Sequence, residues 1–172
     1  MTIEPDTKDW TWVLDRPCPE CAFVATAVTG SEIPRITREA AAAWDGVLHR
    51  EGVRARPEPH VWSPLEYACH VRDVCRVMDQ RARLMLAQDA PTFPNWDQDE
   101  TALRERYGEQ DPAVVGLGLH TAAEAVAARF AAVPDDAWDR RGLRSNGSEF
   151  TVLGLGRYFL HDVVHHLHDV GA

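Results

Sequence analysis

Apolar residues recur at three- and four-residue steps in four long stretches of the chain, which is the spacing typical of amphipathic helices. In the first stretch, residues 31–48, the apolar face consists of Ile33, Ile36, Ala40, Trp44, Val47 and Leu48. The other stretches cover about residues 63–88, 111–133 and 151–170. Because four long helices occur without a convincing strand, the sequence predicts an all-α fold, a four-helix bundle.

Local signals mark where two of these helices begin. Ser63-Pro-Leu-Glu66 combines a serine cap, a proline at the first helical position and a glutamate three residues after the cap. Asp111-Pro112 repeats the cap and the proline. The last helix contains Gly154 and Gly156, each of which weakens a helix by about 1 kcal/mol relative to alanine. We therefore expect another helix to approach closely at these glycines.

The connection between the second and third long helices is longer than a tight hairpin requires. Residues 89–97 form a loop with prolines, followed by a short predicted helix over residues 100–107. Long ordered loops in compact domains are often functional. Three side chains of this loop, Phe93, Trp96 and Asp97, therefore either line a cleft or only cover the end of the bundle.

We predict one domain with an irregular N-terminal arm. Residues 1–30 contain tryptophans, prolines and a short helical turn at about 21–28, and we expect this arm to pack on the bundle of residues 31–172. A chain of 172 residues is long enough for a single well-packed core. The polar link 135–149 contains Asn146-Gly147, a turn signal, but its flanks are too polar to predict a hairpin.

Composition and charge narrow the function classes. The chain has 18 lysines and arginines against 27 aspartates and glutamates, a formal net charge of −9. Such a surface repels phosphate backbones, so we expect no nucleic-acid partner. No apolar run reaches the roughly 18–20 residues of a membrane span, and the polar start lacks the features of a signal peptide. We therefore expect a cytoplasmic protein with no membrane partner.

Half of the eight histidines lie in the last helix. His161 and His165 are four residues apart, which places both imidazoles on one helical face. Two such rings can bind one divalent ion at about 2.0–2.1 Å, as in helical zinc sites. The alternative is a solvated helix end whose histidines interact favourably with the helix dipole. His168 is on the same face and could replace either ring, whereas we expect His166 to point towards solvent.

A third ligand is available in the second long helix. His70 lies beside the inward stripe of that helix, and a buried imidazole is costly unless a hydrogen-bond partner or a metal satisfies it. We predict that His70, His161 and His165 form one metal site between the helices; the alternative for His70 is a hydrogen-bonded core histidine. Three protein ligands leave a fourth position open, which is the arrangement of catalytic zinc.

The cysteines and nearby acids carry weaker signals. Cys69 and Cys75 are roughly 9 Å apart along one helix, too far for a disulfide, and we expect buried thiols. Cys18-Pro-Glu-Cys21 is either half of a zinc site or a redox pair. Asp73 and Asp162 lie three residues from predicted ligands and either orient the imidazoles or are solvated.

Two segments resemble the DinB-like (DinB/YfiT) superfamily of metalloenzymes: Tyr67-Ala-Cys-His70-Val-Arg-Asp73 and Leu160-His161-Asp-Val-Val-His165-His166. The resemblance covers about residues 31–170. The superfamily also includes mycothiol-dependent maleylpyruvate isomerases. It implies a four-helix bundle that binds a divalent metal through three histidines, and these roles carry over to the three predicted ligands. In the isomerases one position of the last helix is a glutamate, so a set of three histidines favours the other branch.

The resemblance implies a metal-dependent enzyme that acts on a small-molecule substrate. A low-molecular-weight thiol such as mycothiol or bacillithiol would make it a thiol-dependent transferase or isomerase. A metal-dependent hydrolase that uses bound hydroxide, or a non-catalytic metal-binding stress-response domain, fits the same ligands. Zinc is the expected divalent metal ion, although imidazole also binds nickel, iron or copper.

Further expectations concern residues outside the histidine set. Arg157, one turn before His161, and Arg144 in the preceding link either hold an anionic substrate group or are surface arginines. The family suggests a homodimer through helix faces. The arm with Cys18 and Cys21 is not part of the family pattern, which leaves room for a distinct function.

Overall fold

A computed structural model describes residues 8–172 and confirms the predicted four-helix bundle. The α-helices are α1 Ile33–Leu48, α2 Pro64–Ala87, α3 Gln98–Arg104, α4 Pro112–Ala131 and α5 Val152–Asp169. Both α4 and α5 pack against α1 and α2, and the short α3 lies in the connection between α2 and α4. The first seven residues of the predicted arm lie outside the described part. Within residues 8–172 no helix has the length and apolar character needed to cross a membrane.

Side-chain caps hold the predicted helix starts. At α2, Ser63 Oγ accepts from the Glu66 amide at 3.3 Å, and Glu66 Oε2 accepts from the Ser63 amide at 2.8 Å. Asp111 Oδ1 accepts from two amides of the first turn of α4, and Thr151 Oγ1 accepts from the Gly154 amide in α5. Since these amides have no partner inside their helices, the caps stabilise each start by about 1 kcal/mol.

The apolar faces of the four long helices meet in one core. Its largest buried side chains include Trp44 of α1, Leu65 and Met85 of α2, Phe130 of α4 and Phe159 of α5. Phe130 and Phe159 stack with their ring centroids 6.3 Å apart, which joins α4 to α5. Burial of each such side chain stabilises the fold by about 1.5–3 kcal/mol.

A small sheet accompanies the bundle, and the sequence does not predict it. Its strands are β1 Thr92–Phe93, β2 Arg141–Arg144 and β3 Glu149–Thr151, with β2 parallel to β1 and antiparallel to β3. The polar link therefore forms a hairpin around Asn146-Gly147, contrary to expectation. The reason is that β2 buries Gly142 and Arg144 while Leu143 is exposed, so apolar and polar residues do not alternate as they do in an ordinary strand.

Residues 8–32 form an irregular arm that packs on α5 and leads into α1. Its regular parts are short 3-10 helices at Thr11–Leu14, Ala25–Ala27 and Gly30–Glu32. Few of its apolar side chains are fully buried, and the buried ones include Val13, Cys18 and Ala25. The arm therefore buries fewer apolar side chains than the helices of the bundle do.

The predicted close helix approach occurs at Gly156. A Cβ atom there would lie 2.5 Å from Ile33 Cδ1 of α1 and 3.0 Å from Phe130 Cε1 of α4. At Gly154, by contrast, the nearest atom is Thr151 Oγ1, which belongs to the cap of the same helix. Of these two glycines, Gly156 is therefore the one that close packing between helices requires.

We predict that Gly156→Val lowers the free energy of unfolding by about 1–3 kcal/mol, because the added side chain overpacks a filled core. Urea denaturation followed by circular dichroism measures this change. The matched control is Gly46→Val in α1, where a Cβ atom would have no neighbour within 4 Å. That variant should be neutral or slightly stabilised, and equal destabilisation of both variants would contradict the packing argument.

Candidate metal centre

Two groups of ligand-type side chains lie on neighbouring faces of α5. The α2–α5 group consists of His70, Asp162 and His166, and the arm–α5 group consists of Cys18, Cys21, His161 and His165. Within each group the ligand atoms lie within 4.8 Å of one another. Successive helical residues are rotated by about 100°, so positions 161 and 165 face a different neighbour from positions 162 and 166. The first pair meets the arm and the second pair meets α2.

The spacing in the α2–α5 group suits a divalent metal. His70 Nε2 lies 3.4 Å from Asp162 Oδ1, and His166 Nε2 lies 3.7 Å from the same oxygen. Atoms that bind one tetrahedral ion at about 2.0–2.2 Å are about 3.4 Å apart. Neither nitrogen of His70 nor Asp162 Oδ1 has a hydrogen-bond partner among the described residues. Such buried atoms are costly unless a further partner, such as a metal ion, satisfies them.

Asp169 fixes the orientation of His166. Its Oδ2 lies 2.8 Å from His166 Nδ1, and because an ionised carboxylate only accepts hydrogen bonds, Nδ1 carries a proton. In the neutral ring Nε2 then presents its lone pair towards Asp162. A carboxylate behind an imidazole in this way is the usual support of a metal-binding histidine.

Two loop tryptophans enclose His70, which is 0% exposed. Trp96 stacks on the imidazole with centroids 5.4 Å apart, and the Trp62 ring lies 5.2 Å away. Burial lowers the pKa of His70, which keeps the ring in the neutral form that a metal requires. For Asp162, burial raises the pKa, but the neighbouring imidazoles of His70, His166 and His161 outweigh it and lower the pKa to about 2.

A cavity of about 660 Å³ adjoins both groups and suits a small molecule. Three histidines of α5, His161, His165 and His166, line it together with both aspartates of that helix, whereas His70 is not among the lining residues. Its aromatic wall consists of Trp10, Trp62, Tyr67, Trp96 and Tyr158. The cavity is lined by two cations, Lys8 and Arg144, and by a larger number of carboxylates. The carboxylates belong to Asp9, Glu20, Asp97, Asp99, Asp162 and Asp169.

The arm–α5 group joins two cysteines to two histidines. Cys18 Sγ lies 3.7 Å from His165 Nδ1, and the rings of His161 and His165 have centroids 5.0 Å apart. His161 Nε2 is buried without a hydrogen bond to any described residue. Burial and the neighbouring His165 lower the pKa of His161 to about 4, so this ring is neutral at pH 7.

The three histidines predicted to share one ion are divided between the two groups. His70 lies in the first, and His161 and His165 lie in the second. The set of three as ligands of one ion stays a prediction. His168 is exposed and belongs to neither group. The expectation that His166 points to solvent is wrong, because its ring centroid lies 4.8 Å from that of His70.

Sequence reasoning therefore missed His166 and gave Asp162 only a supporting role. The signal that identifies them is a second pair at i and i+4, Asp162-x-x-x-His166, one residue after the histidine pair. Asp73, the other expected supporting acid, instead accepts from the Tyr107 hydroxyl at 2.7 Å and forms ion pairs with arginines of α2.

Some of the loop and arginine side chains that were expected near a site line the cavity, and others do not. Trp96 and Asp97 line the cavity, whereas Phe93 is buried in the core. Arg144 is only 9% exposed and lines the cavity, with Nε donating to Asn146 Oδ1 at 2.9 Å. Arg157 donates to the Val28 carbonyl oxygen at 2.9 Å, so it holds the arm instead of facing the cavity.

A model of the DinB superfamily matches residues 35–170. The chain belongs to the DinB superfamily. Among solved structures it is similar to one described as "YfiT from Bacillus subtilis is a probable metal-dependent hydrolase with an unusual four-helix bundle topology". The TM-score is 0.72 at 15% identity, over 83% of this chain and 86% of that one, so the likeness concerns the fold. No curated protein matches the chain significantly.

We predict that the metal-free protein loses stability as the pH falls below about 6.5. Unfolded histidines bind protons near that pH, while burial lowers the pKa values of His70, His161 and His165 in the folded state, so acid favours unfolding. For His161, with a folded pKa of about 4, the loss reaches about 3 kcal/mol by pH 4.

Urea denaturation in the presence of a chelator, repeated between pH 7.5 and about 4, measures this dependence. His161→Asn should reduce it, whereas His49→Asn, at an exposed position, should leave it unchanged. A flat stability profile between pH 7 and about 4 would contradict the lowered pKa values.

Proposed function

We propose that this DinB superfamily member is a divalent-metal-dependent enzyme whose ion binds at His70, Asp162 and His166. The observation that carries the proposal is the pair of buried, unbonded ligand atoms on His70 and Asp162, which face each other at the spacing of a metal site. Three protein ligands leave a position for a substrate. When bound, such an ion supplies Lewis acidity and lowers the pKa of a water or thiol.

His161 and His165 remain the alternative partners of His70. The distances of 3.4 and 3.7 Å to Asp162 Oδ1 favour Asp162 and His166, because these atoms already have the separation that one ion imposes. Zinc suits two nitrogens and one carboxylate oxygen, and nickel or iron would also accept them.

We favour a low-molecular-weight thiol such as mycothiol or bacillithiol as the co-substrate. The family isomerases have a glutamate at one ligand position of the last helix, and the pair of Asp162 and His166 resembles that combination of a carboxylate and an imidazole. The thiol would enter the cavity beside these side chains. This resemblance supports a thiol-dependent transferase or isomerase.

Other residues have separate tasks in this proposal. Asp169 holds His166 in the orientation that presents Nε2. Trp62 and Trp96 exclude water from His70. Arg144 is a buried cation whose hydrogen bonds go to neutral Asn146 and Ser148, so its charge is available to an anionic group of the substrate. The surrounding carboxylates disfavour polyanions.

A metal-dependent hydrolase is the second candidate. The fold is shared with YfiT, which is described as a probable metal-dependent hydrolase. The same side chains serve either reaction, because a Lewis acid can activate a water or a thiol. The two candidates differ in whether a thiol is consumed.

We predict that His70→Ala and His166→Ala each lose one equivalent of bound metal and reduce turnover by about 100-fold or more. Elemental analysis and far-ultraviolet circular dichroism separate loss of metal from loss of fold. The matched control is His120→Ala, at a half-exposed position that pairs with Asp45 on the bundle surface. Full metal content in the His166 variant would refute the proposed ligand set.

We predict that the metal-loaded protein consumes a low-molecular-weight thiol when it is given an electrophile. Mycothiol, bacillithiol and glutathione are each incubated with a panel of electrophiles and esters, and both free thiol and released acid are measured. Acid release without thiol consumption would identify the hydrolase instead. Absence of both reactions, with metal retained, would indicate a non-catalytic domain.

A further inference from the structure

The arm–α5 group forms a second metal site that is separate from the α2–α5 group. We propose that Cys18, Cys21, His161 and His165 bind one zinc ion in a closed, structural Cys2His2 site that attaches the N-terminal arm to α5. Four protein ligands fill the tetrahedral coordination of zinc, which is the arrangement of structural sites. This inference does not depend on the proposed enzymatic function.

The ligand atoms have the separation that a zinc ion requires. Zinc binds sulfur at about 2.3 Å and nitrogen at about 2.0–2.1 Å, so a sulfur and a nitrogen on one tetrahedral ion are about 3.5 Å apart. Cys18 Sγ and His165 Nδ1 are 3.7 Å apart, and all four ligand atoms lie within 4.8 Å of each other. The group therefore needs only small side-chain adjustments to close around an ion.

Carboxylates support one imidazole from behind. His165 Nδ1 faces Cys18, while its Nε2 lies 3.5 Å from Glu20 Oε2 and 3.6 Å from Asp169 Oδ1. A histidine that binds metal through one nitrogen usually directs its other N–H to a carboxylate. Glu20 lies between the two cysteines in the sequence, so the same turn supplies both the thiols and this support.

His161 supplies an independent observation. The residue is only 4% exposed, and its Nε2 has no hydrogen-bond partner among the described residues. A buried nitrogen in this state is costly unless another partner satisfies it. His70 of the α2–α5 group is buried in the same way. The ligand types next to the two histidines differ, because His161 lies beside thiols and His70 lies beside a carboxylate.

The backbone of the arm holds the two thiols together. The Ala22 amide donates to the Cys18 carbonyl oxygen at 2.9 Å, and the Cys18 amide donates to the Phe23 carbonyl oxygen at the same distance. Ala22 has a φ of +58°, a left-handed conformation that non-glycine residues rarely adopt. This tight turn directs both side chains of the C-x-x-C towards α5.

The surroundings do not favour a redox pair. Reactive C-x-x-C thiols have lowered pKa values, whereas burial raises the pKa of Cys21 to about 11 despite stabilisation by the Phe23 backbone. Two imidazoles in the same cluster are ligands that a disulfide would not need. A zinc ion instead stabilises both thiolates and releases their protons on binding.

The site has a consequence for the neighbouring cavity. Trp10 packs against His161 and His165, with centroids 5.6 and 5.3 Å apart, and both Trp10 and Glu20 line the cavity. Because the arm has few buried apolar side chains, the zinc site would position this wall. Zinc would thereby act on substrate binding without contacting the substrate.

Cobalt substitution tests the site in the full-length protein. The purified chain is stripped with a chelator under reducing conditions and titrated with Co²⁺ alone, and the near-ultraviolet absorption of sulfur-to-cobalt charge transfer is recorded. We expect this band to saturate by two added equivalents, because the α2–α5 group also binds cobalt without a thiolate, and to disappear when Zn²⁺ is added. Absence of the band would overturn the proposal without any variant having to fold.

Variants separate the two sites. Cys18→Ser with Cys21→Ser should lose the charge-transfer band and one zinc equivalent in elemental analysis, whereas the control Cys75→Ala, with the buried thiol of α2, should retain both. His166→Ala should keep the band while losing the other equivalent. Loss of the band in His166→Ala or His70→Ala would show that all these side chains share one ion and would refute a separate Cys2His2 site.

Discussion

The rotation of about 100° between neighbouring residues of an α-helix is the constraint on which this molecule depends. In α5 two pairs with i, i+4 spacing overlap with an offset of one residue, so one pair faces the arm and the other faces α2. The helix can therefore serve two ligand groups at the same height along its axis. Its start is fixed by the Thr151 cap, and its position by the contact of Gly156 with α1 and α4.

Each ligand group contains a buried imidazole whose nitrogen is available to bind a metal ion. A nitrogen without a hydrogen-bond partner is unfavourable in a protein interior, and the fold retains such atoms on His70 and His161. The other histidine of each group has an acidic neighbour that orients it: Asp169 lies beside His166, and Glu20 lies beside His165. The buried nitrogens of His70 and His161 are therefore candidate ligands for a cation, in a chain whose net charge is negative.

Irregular segments, not helices, complete the cavity. The loops before and after α2 supply Trp62 and Trp96, the arm supplies Trp10, and the hairpin brings Arg144 to the same space. A bundle alone would leave His70 open to solvent on the side that the two indoles cover. Variation in these segments would change the shape and charge of the cavity without altering the helices, as is common for loops on a rigid scaffold.

Much of the fold was predictable from local signals. The caps at Ser63 and Asp111 and the apolar spacing of the helices act within one or two turns, so the sequence displays them directly. The hairpin was not predictable, because its β2 strand buries Gly142 and Arg144. Gly142 packs against Met85 and Phe93 from earlier segments, and Arg144 packs over the rings of Phe150 and Tyr158.

For the site, the sequence by itself determined which residues could bind metal: His70 as an inward imidazole, the histidine pair of the last helix, and the cysteine pair of the arm. Only the tertiary structure decided how they combine, bringing His70 to Asp162 and His166 and the cysteines to His161 and His165. The physical reason is that i, i+4 spacing fixes which side chains share a helical face, whereas the partner of that face depends on helix rotation and on the path of the arm. Both are set by packing of α5 against other segments of the chain, such as α1 and α2.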